Sequence, residues 1–288
     1  MLHPPIVPAV AGDPASRTRL VGRGCPFTQA LLVHSAAVKP RPAVTVVSPH
    51  FDDVPLSLGQ SLRDGALSSC DVSVEVVFGR TNWTNWVHPT RSRAGVISGW
   101  RRLEEALSAR CFGYRWHSSD WEEALLRWGV VAGGDRLLDP GADLSAEPLV
   151  DQIGEWLVNL VNAPQGAPAL VLVPAGIGGH VDHRIVALAA VGVRDRLGAA
   201  VGFYEDRPYV SHMDPGQVEA QLDALGLEPE LDRVAVSGPI AESTQKRVRR
   251  CYPSQIDGYF VEAMHRDVAD GSSERVWFEQ GTAPVWFG

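Results

Sequence analysis

No run of the 288-residue chain approaches the roughly 20 consecutive apolar residues of a membrane span. The N-terminus, MLHPPIVPAVAGDPASRTR, also lacks the basic start and unbroken apolar core of a signal peptide, so a cytoplasmic protein with no membrane partner is expected. Cysteine is scarce: Cys25, Cys70, Cys111 and Cys251 are widely scattered and form no C-x-x-C pair. That spacing suggests neither a disulfide framework nor a thiolate zinc site, and reduced thiols are expected. Positive charge is also short, with 26 Lys and Arg against 34 Asp and Glu and a formal net charge of −8. No extended basic surface is left to neutralise a phosphate backbone, and nucleic acid is excluded as an expected partner. The densest basic run, residues 246–250, contains Val248 and reads as the solvated face of a helix. Three enzyme signatures are missing as well. There is no G-x-G-x-x-G after the first strand, no G-x-S-x-G and no H-E-x-x-H, which removes the support for a dinucleotide cofactor, a serine hydrolase or a metalloprotease helix.

The remainder has the composition of an ordinary globular protein, 45% hydrophobic and 21% charged. Its length suits one large α/β domain that buries a full core without cross-links. Residues 1–40 are rich in proline and turn formers and read as an N-terminal arm, leaving 41–288 as a single domain. Regular patterning begins at 43–48 (AVTVVS), a β-branched run that predicts a strand, followed by a loop and a helix near Leu56. A second strand is predicted at 72–78, and GRTNWTNWVHPTRSR after it reads as a long loop. Trp100, Leu103, Ala106, Leu107 and Cys111 recur at helical spacing, and Gly113 is placed to end that helix. Leu149, Val150, Ile153, Trp156, Leu157, Leu160 and Val161 mark another helix, separated by residues 164–166 from a strand at 169–173. A helix at about 182–197 and a strand at 200–204 follow. Strands alternating with helices predict a Rossmann-like, mostly parallel sheet with helices on both faces, and active groups at the carboxyl ends of its strands. From about residue 210 the pattern is less regular, and a small C-terminal cap is expected.

Two clusters carry chemistry. The first strand delivers Pro49-His50-Phe51-Asp52-Asp53 to its carboxyl end, and the strand at 169–173 delivers PAGIGGHVDH, containing His180, Asp182 and His183. One His or Asp after a strand is commonly a helix cap or a satisfied polar group. Two clusters of metal-ligand residue types, both after predicted strands, are harder to explain by capping, because each packed pair of such groups carries a desolvation cost.

PHFDD and HVDH together resemble the PIG-L or LmbE-like family of zinc-dependent N-acetylglucosaminyl deacetylases and related amidases, whose signature is a His-Pro-Asp-Asp loop and a distal His-x-Asp-His. The resemblance runs on through WRRLEEALSARCFG, which is similar to the family's Arg-x-x-Glu helix, and through YEDRPY and YPSQ. It implies that His50, Asp53 and His183 hold Zn2+, with a fourth position open for water, and that Asp52 is the general base. By the same resemblance His180 stabilises the oxyanion or protonates the departing amine, with Asp182 orienting it through a carboxylate–imidazole hydrogen bond. A His-Asp-His set also accepts other divalent ions such as Fe2+ or Co2+. Arg101 or Arg102 would then contact substrate hydroxyls, against the alternative of a surface ion pair with Glu104 or Glu105. The chain departs from the pattern at Phe51, Val54 and Val181, none of which removes a ligand. Trp83, Trp86 and His88 in the long loop are candidates for stacking on a sugar or for covering the sheet edge.

The implied activity is hydrolysis of an N-acetyl or other N-acyl amide on a small amino sugar or glycoside. The same residues would serve an amidase acting on a non-sugar amide, such as a thiol conjugate or a secondary-metabolite intermediate. A non-catalytic protein on the same fold is a third reading; the presence of His50, Asp52, Asp53 and His183 together argues against it. The sequence leaves the oligomeric state open.

Overall fold

The computed structural model describes residues 40–129, 134–163, 167–226 and 231–287. The N-terminal arm, apart from Pro40, and the 164–166 break lie outside the described residues. In chain order the elements are β1 (Ala43–Ser48), α1 (Asp53–Asp64), β2 (Asp71–Val76), α2 (Ala94–Phe112), β3 (Arg115–Ser118), α3 (Ala124–Trp128), α4 (Gly134–Leu137), α5 (Pro148–Val161), β4 (Leu170–Pro174), α6 (Val181–Val193), β5 (Ala200–Tyr204), α7 (Pro215–Asp223), β6 (Leu231–Pro239), α8 (Glu242–Cys251), α9 (Gly258–Ala269) and β7 (Ser273–Glu279). They build a seven-stranded sheet in the order β3-β2-β1-β4-β5-β7-β6.

β4 is buried at every position, as an interior strand covered on both faces must be. Alternate residues of the central strands feed two cores. Val44, Val46, Val72, Val74, Val76, Leu170 and Leu172 face one side with residues of α1 and α8, while Val47, Val171, Val173 and Phe203 face the other with residues of α5 and α6. β3, β2, β1, β4 and β5 run parallel. β1 and β4 pair through Val44 with Leu170, Thr45 with Val171 and Val46 with Leu172. The strand order reverses at this pair, and the crevice beyond its carboxyl ends is where a doubly wound sheet places its ligand.

The C-terminal part supplies more than a cap. β7 pairs antiparallel with β5, and β6 with β7, so two further strands extend the sheet. The basic run lies on α8, with Lys246, Arg249 and Arg250 in solvent and Val248 fully buried. Gly113 closes α2 at φ 82°, the left-handed cap that glycine favours. The apolar row that reveals α2 in the sequence is its exposed side: Trp100, Leu103 and Leu107 face solvent, whereas Arg101, Glu104 and Glu105 are buried. Those three charged side chains are drawn inward by specific partners. Glu104 accepts from Ser254 N and Oγ, Glu105 accepts from the hydroxyls of Tyr114 and Tyr252, and Arg101 reaches Asp52. Among the described residues, no helix is long and apolar enough to cross a membrane.

Candidate metal centre and active site

The loop leaving β1 folds back on itself. Ser48 Oγ donates to His50 O at 2.5 Å, and His50 N donates to Asp53 Oδ2 at 2.6 Å. Asp52 stands at the N-cap of α1 without making a side-chain cap bond, so its carboxylate is not used for capping. After β4 the backbone turns through Gly178 and Gly179 at φ 93° and 74°. A Cβ on Gly178 would lie 2.2 Å from the Tyr209 ring, and one on Gly179 would lie 2.6 Å from Pro140 N, so neither position has room for a side chain. This close turn carries His180, Asp182 and His183 to the β1 loop.

Asp53 Oδ2 lies 3.3 Å from His50 Nδ1 and 3.3 Å from His183 Nε2. Donors about 2.1 Å from a tetrahedral ion are separated by about 3.4 Å, so each imidazole nitrogen stands off Asp53 Oδ2 at the distance an ion between them would set. The far nitrogen of each imidazole has its own carboxylate: His50 Nε2 meets Asp182 Oδ2 at 3.0 Å and His183 Nδ1 meets Asp206 Oδ1 at 2.6 Å. Carboxylate–histidine pairs of this kind orient metal ligands. His183 Nε2 is buried and has no hydrogen-bond partner among the described residues, which suits a lone pair reserved for a ligand. Burial opposes charge on His50, but Asp53 and Asp182 more than offset it and raise its pKa to about 9. His183 is likewise raised, with Asp53 and Asp206 outweighing burial. Burial opposes the Asp53 carboxylate, yet the same two imidazoles hold its pKa well below the ordinary carboxylate range. The carboxylates around the two imidazoles favour positive charge between them.

His180 belongs to a second possible set, because ligand nitrogens of His50, His180 and His183 all lie within 4.8 Å of one another. His180 Nδ1 is already engaged as the N-cap of α6, accepting from Asp182 N at 3.3 Å. The proton is therefore on Nε2. Burial, then His50 and His183, lower the His180 pKa to about 3, leaving a neutral imidazole that can donate one hydrogen bond. The expected Asp182–His180 carboxylate pair is replaced by a different arrangement. The Asp182 carboxylate turns to His50, and it also accepts from Ala124 N at 2.9 Å and Arg127 Nη2 at 2.8 Å. Three donors at that spot outbid a single imidazole.

Arg101 lies in the cleft lining, and the alternative of a surface ion pair with Glu104 or Glu105 is not what the structure shows. It is 3% exposed, and its Nη2 donates to Asp52 Oδ1 at 2.6 Å, with Glu123 at 3.8 Å. Burial raises the Asp52 pKa, against the pull of Arg101. Arg102 pairs with Asp120 at 2.7 Å on the surface. Phe51 lies in the core with its edge on Trp116, and the Arg101 guanidinium sits over its ring. Sequence reasoning overlooked Asp206, which holds the outer nitrogen of His183, and Arg127, which holds the Asp182 carboxylate that meets His50. Asp206 lies in YEDRPY, a segment that the family resemblance covers without giving it a role.

The cleft over these groups has a volume of about 280 Å³. Its floor holds His50, Asp52, Asp53, Arg101, Glu123, His180 and Asp182. Trp83, Leu125, Leu138, Tyr209, Tyr259 and Phe260 contribute to its walls. Trp86 is not in the cleft and meets Trp100 edge-on instead. Because Asp206 orients His183, Asp206→Asn is expected to weaken metal affinity by about 10- to 100-fold. Competition with a chromogenic chelator measures this, and an unchanged affinity would show that the contact does not matter.

No family model matches the chain. It is 33% identical over 235 residues to the 2'-N-acetylparomamine deacetylase of Streptomyces fradiae, covering 80% of this chain and 79% of that enzyme. Among solved structures, it is similar to the zinc-inhibited form of the teicoplanin deacetylase Orf2, with a TM-score of 0.54 and 16% identity over 82% of this chain and 97% of that one. It is also similar to the A40926 pseudoaglycone deacetylase Dbv21, with a TM-score of 0.52 and 20% identity over 85% and 99% of the two chains. The structural likenesses show a shared fold, and the sequence relationship goes further: the chain belongs to the PIG-L/LmbE-like family of deacetylases and is a hydrolase.

Proposed function

We propose that this chain is a zinc-dependent N-deacetylase that releases acetate from an N-acetyl amide on an amino sugar. The observation that carries the reading is the placement of Asp53 Oδ2 at 3.3 Å from both His50 Nδ1 and His183 Nε2, with each outer imidazole nitrogen on a carboxylate. His50, Asp53 and His183 would hold the ion. A divalent ion there supplies a Lewis acid for the amide carbonyl and acidifies a water. Asp52, paired with Arg101, takes the proton of the attacking water and returns it to the departing amine. His180 presents its Nε2–H to the oxygen on which charge develops. Arg101 holds one Asp52 oxygen and leaves the other to the cleft.

The sugar acceptor is supported by the Streptomyces fradiae relative, whose name gives 2'-N-acetylparomamine as its substrate. Aromatic walls such as Trp83, Tyr209 and Tyr259 suit the apolar face of a pyranose. The leucines at 125, 137 and 138 favour a second reading, the same hydrolysis on a less polar amide such as a thiol conjugate or secondary-metabolite intermediate. Acetate release from N-acetylglucosamine, its glycosides and 2'-N-acetylparomamine, alongside non-sugar acetamides, separates the two. At least about a 100-fold higher kcat/KM on the best sugar, equivalent to two decades of transition-state discrimination, is expected. A non-sugar amide at the head of the ranking would contradict the sugar assignment.

A further inference from the structure

The apolar row that announces α2 in the sequence is left in solvent. Val96 is 60% exposed, Trp100 37%, Leu103 71% and Leu107 47%, and Trp86, 57% exposed, lies against Trp100 with ring centroids 5.8 Å apart. The buried side of the helix carries Ile97, Arg101, Glu105 and Phe112. Positions 96, 100, 103 and 107 are spaced four, three and four, the period of a seam between two packed helices. A helix lying only on its own core shows a broader stripe, facing inward. The exposures correspond to an apolar patch of about 600 Å² per chain, at the top of the range for a monomer's largest patch. Two such patches exceed the roughly 1,000 Å² that a specific interface needs.

We propose that α2 is a homodimer interface, with a second copy of this chain packing its own α2 against the row about a two-fold axis. An uncharged seam is complementary to itself, and a two-fold contact uses the same patch on both copies. The spacing is symmetric about its midpoint. An antiparallel pair therefore sets Val96 of one copy against Leu107 of the other, and Trp100 against Leu103. Gly99 lies one turn before Leu103 with open space where a side chain would project, which leaves room for close approach. Trp86 extends the seam beyond the helix. The inference does not depend on the proposed substrate.

Sedimentation velocity on the full chain, over roughly 1 to 100 µM where an interface of this size is expected to assemble, tests the proposal. The wild type is expected at twice the 31.2 kDa chain mass. The double variant Leu103→Lys/Leu107→Lys is expected to sediment as a monomer, its dimer dissociation constant raised at least about 100-fold. Both side chains are exposed, so circular dichroism and thermal melting should stay close to wild type. If the double variant does not fold, Val96→Lys at the end of the row gives the same reading. A wild type that is monomeric throughout overturns the proposal. A dimer that survives the lysines also overturns it, because the copies would then meet through another surface.

Discussion

Asp52→Asn retains the fold and the metal content of the wild type and loses about 10²- to 10⁴-fold in kcat, the range for removal of a general base. Asparagine keeps an oxygen for Arg101 Nη2, which the wild-type carboxylate holds at 2.6 Å. It has no useful affinity for a proton. Alanine is the poorer choice, because it would remove the close partner of the buried guanidinium and leave Glu123 at 3.8 Å, and breaking a buried pair costs about 3–5 kcal/mol. Metal analysis and initial rates on the same preparation read both halves of the prediction. Near-wild-type turnover in Asp52→Asn would remove Asp52 as the base.

His183→Ala has the second large effect, and of a different kind. It removes the nitrogen that faces Asp53 and leaves Asp206 without the imidazole that it meets at 2.6 Å. Zinc content is expected to fall from about one ion per chain to a small fraction of that, since a three-ligand site does not survive with two. Deacetylation falls with it, by about 10³-fold or more, the equivalent of several kcal/mol of charge stabilisation. His180→Ala is the matched control. His180 Nδ1 is engaged in capping α6, so that variant keeps its metal and loses about 10²- to 10³-fold in kcat as an oxyanion donor. The opposite pattern, metal lost in His180→Ala and kept in His183→Ala, would favour a ligand set containing His180. Metal affinity should also weaken as pH falls, because the raised pKa values of His50 and His183 make protons effective competitors for the same nitrogens.

The parallel half of the fold was legible because β1 and β4 are short, strongly apolar runs, each followed by a polar cluster. Their pairing at the point of strand reversal is what brings His50 and His183 together, and strand order is not written in either run. β6 and β7 were harder to see. Their residues mix charge with apolar positions, and their partners lie far away in the chain. Periodicity located α2 correctly but gave no indication that its apolar row faces outward, because the pattern cannot distinguish a core stripe from an interface seam. The buried charges opposite that row are explained only by partners distant in sequence: Asp52 for Arg101, Ser254 for Glu104, and Tyr252 for Glu105. Asp182 is the instructive case at the site. The family resemblance implies that it orients His180, but its side chain on the first turn of α6 points elsewhere, to His50 and Arg127.

The most direct test of the account is the rate of acetate release from 2'-N-acetylparomamine and N-acetylglucosamine by wild-type protein as purified, after chelation, and after stoichiometric return of zinc. Release is expected to disappear with the metal and to return with about one zinc per chain. Release that continues undiminished in metal-free protein would contradict it.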